Sequence, residues 1–297
     1  MSVASAPGKL FLTGEYVVLG GAPALVAAVD RRARVEVVPG AGPLVVDSVA
    51  DGTSDEIPDA LAGELPGGDE GAGGKKLGLG RSAAALVAAA AACLAARGQF
   101  AAARVLDAAV AGHALLQGGL GSGADVAAAV HGGLVEVRRR GRELAVAARE
   151  LPAGLHLVVG WSGESAATTP LLLRFVAARE HGAATLSRLG VEAERAATAA
   201  ARGDAEGLLA ATDASGQLLE RLGRDLDLPI VTPGLARLMA AGRRLGAAVK
   251  PSGAGGGDCG IALVGSAAAA AALADAWRAD GIEPLGLAVA TSGVALG

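Results

Sequence analysis

The segment Lys250-Pro-Ser-Gly-Ala-Gly-Gly-Gly-Asp-Cys-Gly260 decides the fold, and it leads directly into the apolar run 261–264. Five of the eight residues in 253–260 are glycine. Glycine loses more conformational entropy on folding than any other residue, so this density makes sense where backbone wraps closely around a ligand. A flexible linker is the alternative, but a linker is not expected to run at once into an apolar strand. The segment therefore predicts a ligand-binding loop followed by a strand.

A second glycine-rich segment, Gly78-Leu-Gly-Arg-Ser-Ala-Ala84, opens into an Ala-rich helix predicted over 82–97. Glycines let backbone N–H groups approach an anion, and the helix N-terminus behind them adds unsatisfied donors and a partial positive charge. This combination predicts a phosphate-binding loop. An ordinary loop with Ser82 as the helix N-cap is the alternative. The segment by itself leaves both interpretations open.

Two better-known phosphate-binding loops do not fit this region. Gly74-Lys-Lys76 resembles the end of a Walker A motif, but Asp69 replaces its first glycine and Lys76 its Ser or Thr. Gly78-x-Gly80-x-x-Ala83 fits the loose dinucleotide-binding pattern. No convincing strand precedes it, however, and no acidic residue follows about 20 positions later.

A third glycine-rich segment, Gln117 to Ala128, places Asp125 at the start of a short predicted helix. The loop before Asp125 is able to expose its carboxylate, although a plain helix cap remains the alternative. Near the N-terminus, Lys9 stands between glycine and the apolar run Leu10-Phe-Leu12. A lysine in that setting is not expected to be a plain surface charge, so we expect it to point into a cleft.

Composition excludes several classes of protein. The formal net charge is −4, which implies no domain-scale basic surface, so nucleic acid is not expected as a partner. The basic cluster 138–142 predicts a solvated hairpin turn. The longest apolar run, 83–96, is too short to span a bilayer, and the N-terminus reads as lacking a signal peptide. With two cysteines, a reducing compartment fits, so we expect a cytoplasmic protein without a membrane partner.

The order of predicted elements indicates an α+β protein with two domains, 1–151 and 152–297. Strands are predicted over 2–12, 24–29, 34–38, 134–137, 155–159, 247–249, 260–264 and 286–289. Helices are predicted over 82–97, 100–117, 125–130 and 266–279, with largely helical chain from 170 to 245. Residues 39–76, rich in Gly, Pro and Asp, predict a surface excursion with strand material at 44–46.

Taken in order, these segments resemble the GHMP kinase superfamily over most of the chain. The motifs that carry the resemblance are Pro7-Gly-Lys9 with Gly14-Glu-Tyr16, the loop 78–84, the loop 121–125, and 252–257. Within the superfamily they are most similar to the phosphomevalonate kinases. The discriminating pieces are 14–21, the pair His113 and Gln117, Val159-Gly-Trp-Ser-Gly163, and 252–262.

The resemblance implies a ribosomal-protein-S5-domain-2-like N-terminal domain and a ferredoxin-like C-terminal domain, with ATP in the cleft between them. It implies an enzyme that transfers the γ-phosphoryl group of ATP to 5-phosphomevalonate, with Mg²⁺ as cofactor, and it leaves a homodimer open. Lys9 and Asp125 match the catalytic residues. Implied ATP-binding residues are Lys76, Gly78, Leu79, Gly80, Arg81, Ser82 and Ala83. Implied substrate-binding residues are Lys9, Glu15, Tyr16, Ser122, Gly123, Asp125, Ser252, Gly253, Ala254, Gly255 and Gly256.

Two departures from the family pattern bear on the nucleotide site. Arg81 replaces the first of two serines usual in the phosphate loop, which leaves Ser82 as the hydroxyl for Mg²⁺. Arg81 either contacts phosphate as a fixed fork of donors or points outward in a homologue that has lost activity. The glutamate that other branches use for Mg²⁺ falls at Ala114. The sequence therefore also leaves open another acceptor, such as mevalonate or a sugar, and a non-catalytic nucleotide-binding protein.

Overall fold

The computed structural model describes residues 2–37, 45–48, 77–141, 143–166 and 168–297. The strands are β1 (Ser2–Thr13), β2 (Ala24–Val37), β3 (Val45–Ser48), β4 (Leu134–Arg140), β5 (Glu143–Arg149), β6 (His156–Trp161), β7 (Ala248–Pro251), β8 (Cys259–Val264), β9 (Glu283–Leu285) and β10 (Ala295–Leu296). The helices are α1 (Arg81–Ala96), α2 (Ala102–Leu116), α3 (Ala124–His131), α4 (Thr168–Ala178), α5 (Ala183–Arg202), α6 (Ala205–Asp225), α7 (Pro233–Arg244) and α8 (Ala267–Ala279).

The strands form two sheets, which confirms the α+β prediction. One sheet has the order β10-β1-β2-β4-β5, with β3 paired to β2, and the other has the order β7-β8-β6-β9. In the second sheet each neighbouring pair is antiparallel. Two short 3₁₀ turns, Val17–Gly20 and Arg179–Gly182, lie between the regular elements.

The chain divides into two compact units that are not contiguous in sequence. Unit 1 comprises Met1–Leu10, Val26–Val135 and Val289–Gly297, and unit 2 comprises Phe11–Leu25 and Glu136–Ala288. A linear reading of composition predicts one boundary, near residue 151, because it has no means of detecting that the chain leaves a unit and returns to it. The domain assignment 1–151 and 152–297 stays a prediction.

The core of unit 1 is built mainly from alanine. Helices α1, α2 and α3 pack against one another, and their buried faces meet small side chains of β1 and β2 such as Ala4 and Ala33. Small side chains allow close packing but bury little area each, so many of them are needed. Arg32 closes this unit by donating to the carbonyl oxygens of Ser5, Ser292 and Gly293 at 2.7–3.2 Å.

In unit 2, two glycines admit the large side chains that fill the sheet face. Gly160 of β6 pairs with Gly260 of β8. A Cβ at Gly160 would lie 2.9 Å from both Leu238 and Trp277, and one at Gly260 would lie 2.6 Å from Leu238. Trp277 is fully buried, and its indole N–H donates to the Leu238 carbonyl at 3.1 Å. These glycines in two predicted motifs therefore serve packing.

Two predictions of local structure need correction. The apolar stretch 286–289 is not a strand; β9 lies at Glu283–Leu285, and Val289 makes only an isolated bridge to Val29. The basic cluster does end a hairpin, since β4 ends at Arg140 and β5 begins at Glu143. Arg138 is not simply solvated, however. It donates to Glu136 at 2.8 Å and to Glu194 of α5 at 2.7 and 2.8 Å.

Within the described ranges, none of the helices combines the length and the apolar character needed to cross a bilayer.

Candidate active site

In unit 1 a short loop that contains two glycines lies against strand β1. The loop, Gly78–Arg81, is here called the phosphate loop. Gly78 and Gly80 adopt positive φ values of 75° and 76°, a conformation that favours glycine. The Lys9 backbone N–H donates to the Leu79 carbonyl at 2.7 Å. Its side-chain ammonium donates to the Gly78 carbonyl at 3.2 Å. The structure thus brings two separately predicted motifs together.

The contact between Lys9 and the phosphate loop leaves no room for a side chain at Gly80. A Cβ at Gly80 would lie 2.8 Å from both Cγ and Cε of Lys9. Likewise, a Cβ at Gly8 would lie 2.7 Å from the Leu79 carbonyl oxygen. Glycines at both positions are therefore required for the lysine stem to lie along the loop.

Helix α1 begins at Arg81, the last residue of the phosphate loop, with Gly80 as its N-cap residue. Leu79 and Ala83 are fully buried in the core, so only their backbones are available to a ligand. Ser82 is half-buried, and Arg81 is 7% exposed in the first turn. Gly80 lacks a capping side chain, so the first turn of α1 has backbone N–H groups suited to an anion. The predicted residue Lys76 lies outside the described residues.

Asp125 lies in the first turn of α3. This agrees with the prediction that it starts a short helix after the glycine-rich segment. Its Oδ1 accepts from the Val126 N–H at 2.9 Å, and its Oδ2 lies 3.6 Å from His113 Nε2. His113 is buried on α2 and lies 3.3 Å from the Gln117 side-chain amide, one helical turn later. The sequence indicated the pair His113 and Gln117 only through the family resemblance, and the structure places it beside the candidate catalytic carboxylate.

The turn before α3 is held locally. Ser122 Oγ accepts from the Ala124 N–H at 3.2 Å, and Gly123 has a φ of 76° as the N-cap residue. This arrangement sets the direction in which α3 leaves the loop, and with it the position of Asp125. The predicted binding roles of Ser122 and Gly123 stay predictions.

In unit 2 the segment Ser252–Gly257, here called the glycine loop, lies against residues 11–16. The Phe11 N–H donates to Ser252 Oγ at 2.9 Å. Glu15 Oε1 accepts from the Gly253 N–H at 3.3 Å. The Tyr16 hydroxyl donates to the Ala254 carbonyl. Three successive loop residues are therefore each tied to the same short segment of chain.

The sequence did not predict Lys250 as a functional residue. Its side chain is fully buried, and its ammonium contacts the Glu15 carboxylate and the Pro251 and Phe11 carbonyls, the last two at 2.6 and 3.5 Å. Burial lowers the pKa of Lys250, and the Glu15 carboxylate opposes that shift. The available signal was a single lysine inside the apolar stretch before Pro251.

Tyr16 is held in an uncommon conformation. Its φ is 65°, which is rare for a residue with a bulky side chain. Its ring centroid lies 4.5 Å from that of Phe175. Burial, with a smaller contribution from Glu15, raises the pKa of the Tyr16 hydroxyl far above its usual range. The hydroxyl therefore stays protonated and acts as a donor at neutral pH.

The glycines further along the glycine loop are packed against backbone. Gly255 and Gly256 have φ values of 78° and 80°, and the Gly256 N–H donates to the Ile230 carbonyl at 3.1 Å. A Cβ at Gly255 would overlap that same carbonyl. The segment is therefore a fixed loop, as predicted, and not a flexible linker.

The described residues contain no group of three His, Cys, Asp or Glu side chains that could hold a metal ion. A divalent cation bound chiefly by the phosphates of a nucleotide and by water does not need such a group. Ser82, at the first turn of α1, offers a half-buried hydroxyl for one coordination position. The donor set in the described part of the chain therefore fits Mg²⁺ only as a partner of a bound nucleotide.

Comparison with known proteins gives one match to a family model and two matches to full-length relatives that cover most of the chain. Residues 196–283 match the family model for the C-terminal region of GHMP kinases. A phosphomevalonate kinase from Streptomyces sp. (strain CL190) is 32% identical, with 98% of each chain covered. A mevalonate kinase from Aeropyrum pernix is 31% identical, with 88% of this chain and 87% of that protein covered.

The fold is also that of solved GHMP kinases. The structure of Streptococcus pneumoniae phosphomevalonate kinase in complex with phosphomevalonate and AMPPNP matches with a TM-score of 0.79 and 23% identity. The match covers 97% of this chain and 100% of that one.

Proposed function

This chain belongs to the GHMP kinase family, and on that premise we propose that it transfers the γ-phosphoryl group of ATP to 5-phosphomevalonate, giving ADP and 5-diphosphomevalonate. The observation that carries the proposal is the end-to-end match to a phosphomevalonate kinase, at 32% identity over 98% of both chains. The positions of Lys9 beside the phosphate loop and of Asp125 at the start of α3 support it.

On the nucleotide side, the phosphate loop and the N-terminus of α1 would bind the phosphates of ATP. The backbone N–H groups of the first turn and the positive end of the helix dipole favour negative charge there. Gly78 and Gly80 allow close approach because neither has a side chain. Arg81, buried in the first turn, would supply a positive charge where the family usually has serine.

Mg²⁺ would be held by the nucleotide phosphates and water, with Ser82 as the ligand from this chain, and it would neutralise part of the phosphate charge.

Lys9 and Asp125 would have different roles in the transfer step. Phosphoryl transfer depends on alignment and charge neutralisation more than on covalent help. Lys9 would neutralise charge that develops between donor and acceptor. A phosphate monoester acceptor is already largely ionised at neutral pH, because its second pKa is about 6. It therefore needs no strong base, and Asp125 would position Lys9 or the acceptor.

The proposal is tested by measuring ADP release with ATP and 5-phosphomevalonate, beside the same assay with mevalonate and with ATP alone. We expect release above the ATP-only rate with 5-phosphomevalonate, and no such increase with mevalonate. Nucleotide binding without acceptor-dependent ADP release would overturn the proposal and favour a non-catalytic binding protein.

Mevalonate is the second candidate acceptor, favoured by the 31% match to a mevalonate kinase over 88% of this chain. A hydroxyl acceptor must lose a proton and would need Asp125 as a general base. Asp125→Asn would then cost roughly 10²–10⁴-fold in kcat with mevalonate. With the phosphorylated acceptor the loss should be smaller and nearly independent of pH.

A cytoplasmic location and a homodimer stay predictions. Cell fractionation and light scattering in solution would test them.

A further inference from the structure

The glycine loop has little intrinsic reason to hold one conformation. Gly253, Gly255, Gly256 and Gly257 all have positive φ values, from 78° to 132°. Fixing such residues costs more backbone entropy than fixing any other kind. The loop must therefore be anchored by strong interactions from outside itself if it is to present a defined surface to a ligand.

One anchor is a buried ion pair directly beside the glycine loop. Lys250 is 0% exposed and Glu15 is 4% exposed. The ammonium has three hydrogens to donate and contacts three acceptors: the Glu15 carboxylate and the Phe11 and Pro251 carbonyls. Because every hydrogen has an acceptor, burial of this charge does not leave an unsatisfied group.

The same carboxylate then holds the glycine loop. Glu15 Oε1 accepts from Lys250 and also from the Gly253 N–H at 3.3 Å. Hydrogen bonds to charged groups are about twice as strong as neutral ones. Loss of the Lys250 charge would therefore weaken the support for Glu15 and, through it, the position of Gly253.

Two hydroxyl side chains also help to fix the glycine loop. Tyr16 and Ser252 are each 6% exposed, and their hydroxyls bond to Ala254 and Phe11 within the protein. Family resemblance implied that Glu15, Tyr16 and Ser252 contact substrate. Their burial and their bonds to other groups within the protein instead point to a supporting function.

We propose that Lys250 and Glu15 act as one positioning unit that fixes the glycine loop for the phosphorylated acceptor, with Tyr16 as an auxiliary support. This inference rests on the proposed function for the identity of the acceptor. Lys250 is a positioning residue: it acts on the acceptor only through Glu15 and the backbone of the loop.

The test uses three variants: Lys250→Met, Glu15→Gln, and the double variant that carries both changes. Arg243→Met is the control. The control removes a 2.8 Å ion pair to Glu220 in the same unit, between α7 and α6. For each protein we would measure kcat and the KM values for 5-phosphomevalonate and for ATP. Thermal unfolding reports on stability, and amide hydrogen exchange of the peptide covering 252–258 reports on the loop.

We expect Lys250→Met to raise KM for 5-phosphomevalonate about tenfold, with KM for ATP changed by less than about twofold. Exchange at 252–258 should be faster than in wild type. Because the two residues act together, the double variant should be no worse than Lys250→Met. The control should lower thermal stability without changing either KM or the exchange of the loop.

An unchanged KM for the acceptor in folded Lys250→Met would overturn the proposal, and so would strictly additive effects in the double variant. If Lys250→Met does not fold, Tyr16→Phe replaces it, since it removes one hydroxyl that donates to Ala254. That variant should show faster exchange at 252–258 and a smaller rise in the same KM, and wild-type values for both would overturn the proposal. If wild type has no activity with 5-phosphomevalonate, the proposed function fails, while loop exchange in the variants still decides whether the ion pair fixes the loop.

Discussion

The phosphate loop and the glycine loop look alike in sequence but are held in different ways. Both are runs of glycine that lead into a regular element, α1 in one case and β8 in the other. The phosphate loop is bonded to the backbone and the ammonium of Lys9, which is itself a candidate catalytic group. The glycine loop is held by buried side chains: Glu15 is paired with Lys250 and accepts from the Gly253 N–H, and Ser252 accepts from the Phe11 N–H.

This difference separates two uses of lysine. The Lys9 ammonium donates to the Gly78 carbonyl at 3.2 Å, and Lys9 belongs to the candidate catalytic group. Lys250 is enclosed on every side and its hydrogens are all used. A glycine-rich pattern therefore predicts that a loop is present, but not whether its neighbouring lysine acts on a ligand or on the loop. Four substitutions would test the contrast.

The largest effect is expected from Lys9→Met. Methionine keeps an unbranched stem beside Gly80 and removes the ammonium, so the loop should keep its shape while the developing charge loses its partner. We expect kcat to fall about 10³-fold, the upper range for removal of one electrostatic group. Steady-state kinetics, with thermal unfolding to confirm an intact fold, measures it. A kcat within a few-fold of wild type would end the distinction between the two lysines.

Gly80→Ala should come next. The new Cβ would lie 2.8 Å from the Lys9 stem at a φ of 76°, so we expect about a 10²-fold loss of kcat as the ammonium is displaced. Gly98→Ala is the matched control, because Gly98 has a φ of 65° and open space around its Cβ position. Both variants carry the left-handed strain of about 1–2 kcal/mol. Equal losses of activity would show that strain, and not displacement of Lys9, is responsible.

Gly255→Ala should act on the other loop and on a different kinetic constant. Its Cβ would overlap the Ile230 carbonyl, which must push the glycine loop away from its support. We expect KM for the acceptor to rise about tenfold and KM for ATP to stay near its wild-type value. Gly246→Ala, with a φ of 72° and open space, provides the control. A selective rise in KM for ATP would contradict the assignment of this loop to the acceptor.

The smallest effect is a dependence of stability on pH that comes from Lys250. Its pKa is lower in the folded protein than the 10.5 of a free lysine. Between those two values the unfolded chain holds a proton that the folded protein has released, so the Lys250 contribution to the free energy of unfolding rises with pH. The slope is at most about 1.4 kcal/mol per pH unit. Urea unfolding at a series of pH values should show a flatter dependence for Lys250→Met than for wild type or Arg243→Met.

The sequence predicted most local structure because its signals are local. Helices α1, α2 and α3 follow glycine-rich breaks, and their positions agree with the predictions to within two residues or so. The predicted strand at 286–289 was wrong, because Val289 forms only an isolated bridge with Val29 and the segment does not pair along its length. The apolar pattern of a short segment does not distinguish an isolated bridge from a paired strand.

The sequence did not predict which side chains pair over long distances along the chain. Glu15 and Lys250 are 235 positions apart, and nothing in either segment indicates the other. The family resemblance brought Glu15 and Tyr16 forward as substrate-binding residues, but it carried no information on their burial. The same holds for Arg138, whose partner Glu194 is 56 positions away.

The composition of unit 1 from three separate stretches of chain has a consequence for its biosynthesis. Arg32 bonds to the Ser292 and Gly293 carbonyls, and β1, the strand of Lys9, pairs with β10 at Ala295–Leu296. A ribosome releases the chain N-terminus first, so these carbonyls emerge about 260 residues after Arg32. Until then the Arg32 guanidinium has Ser5 available among these partners but not Ser292 or Gly293, and the edge of β1 that pairs with β10 stays open to pairing with other chains. The pairing of β1, the strand that carries Lys9, with β10 therefore waits until nearly 300 residues have been made.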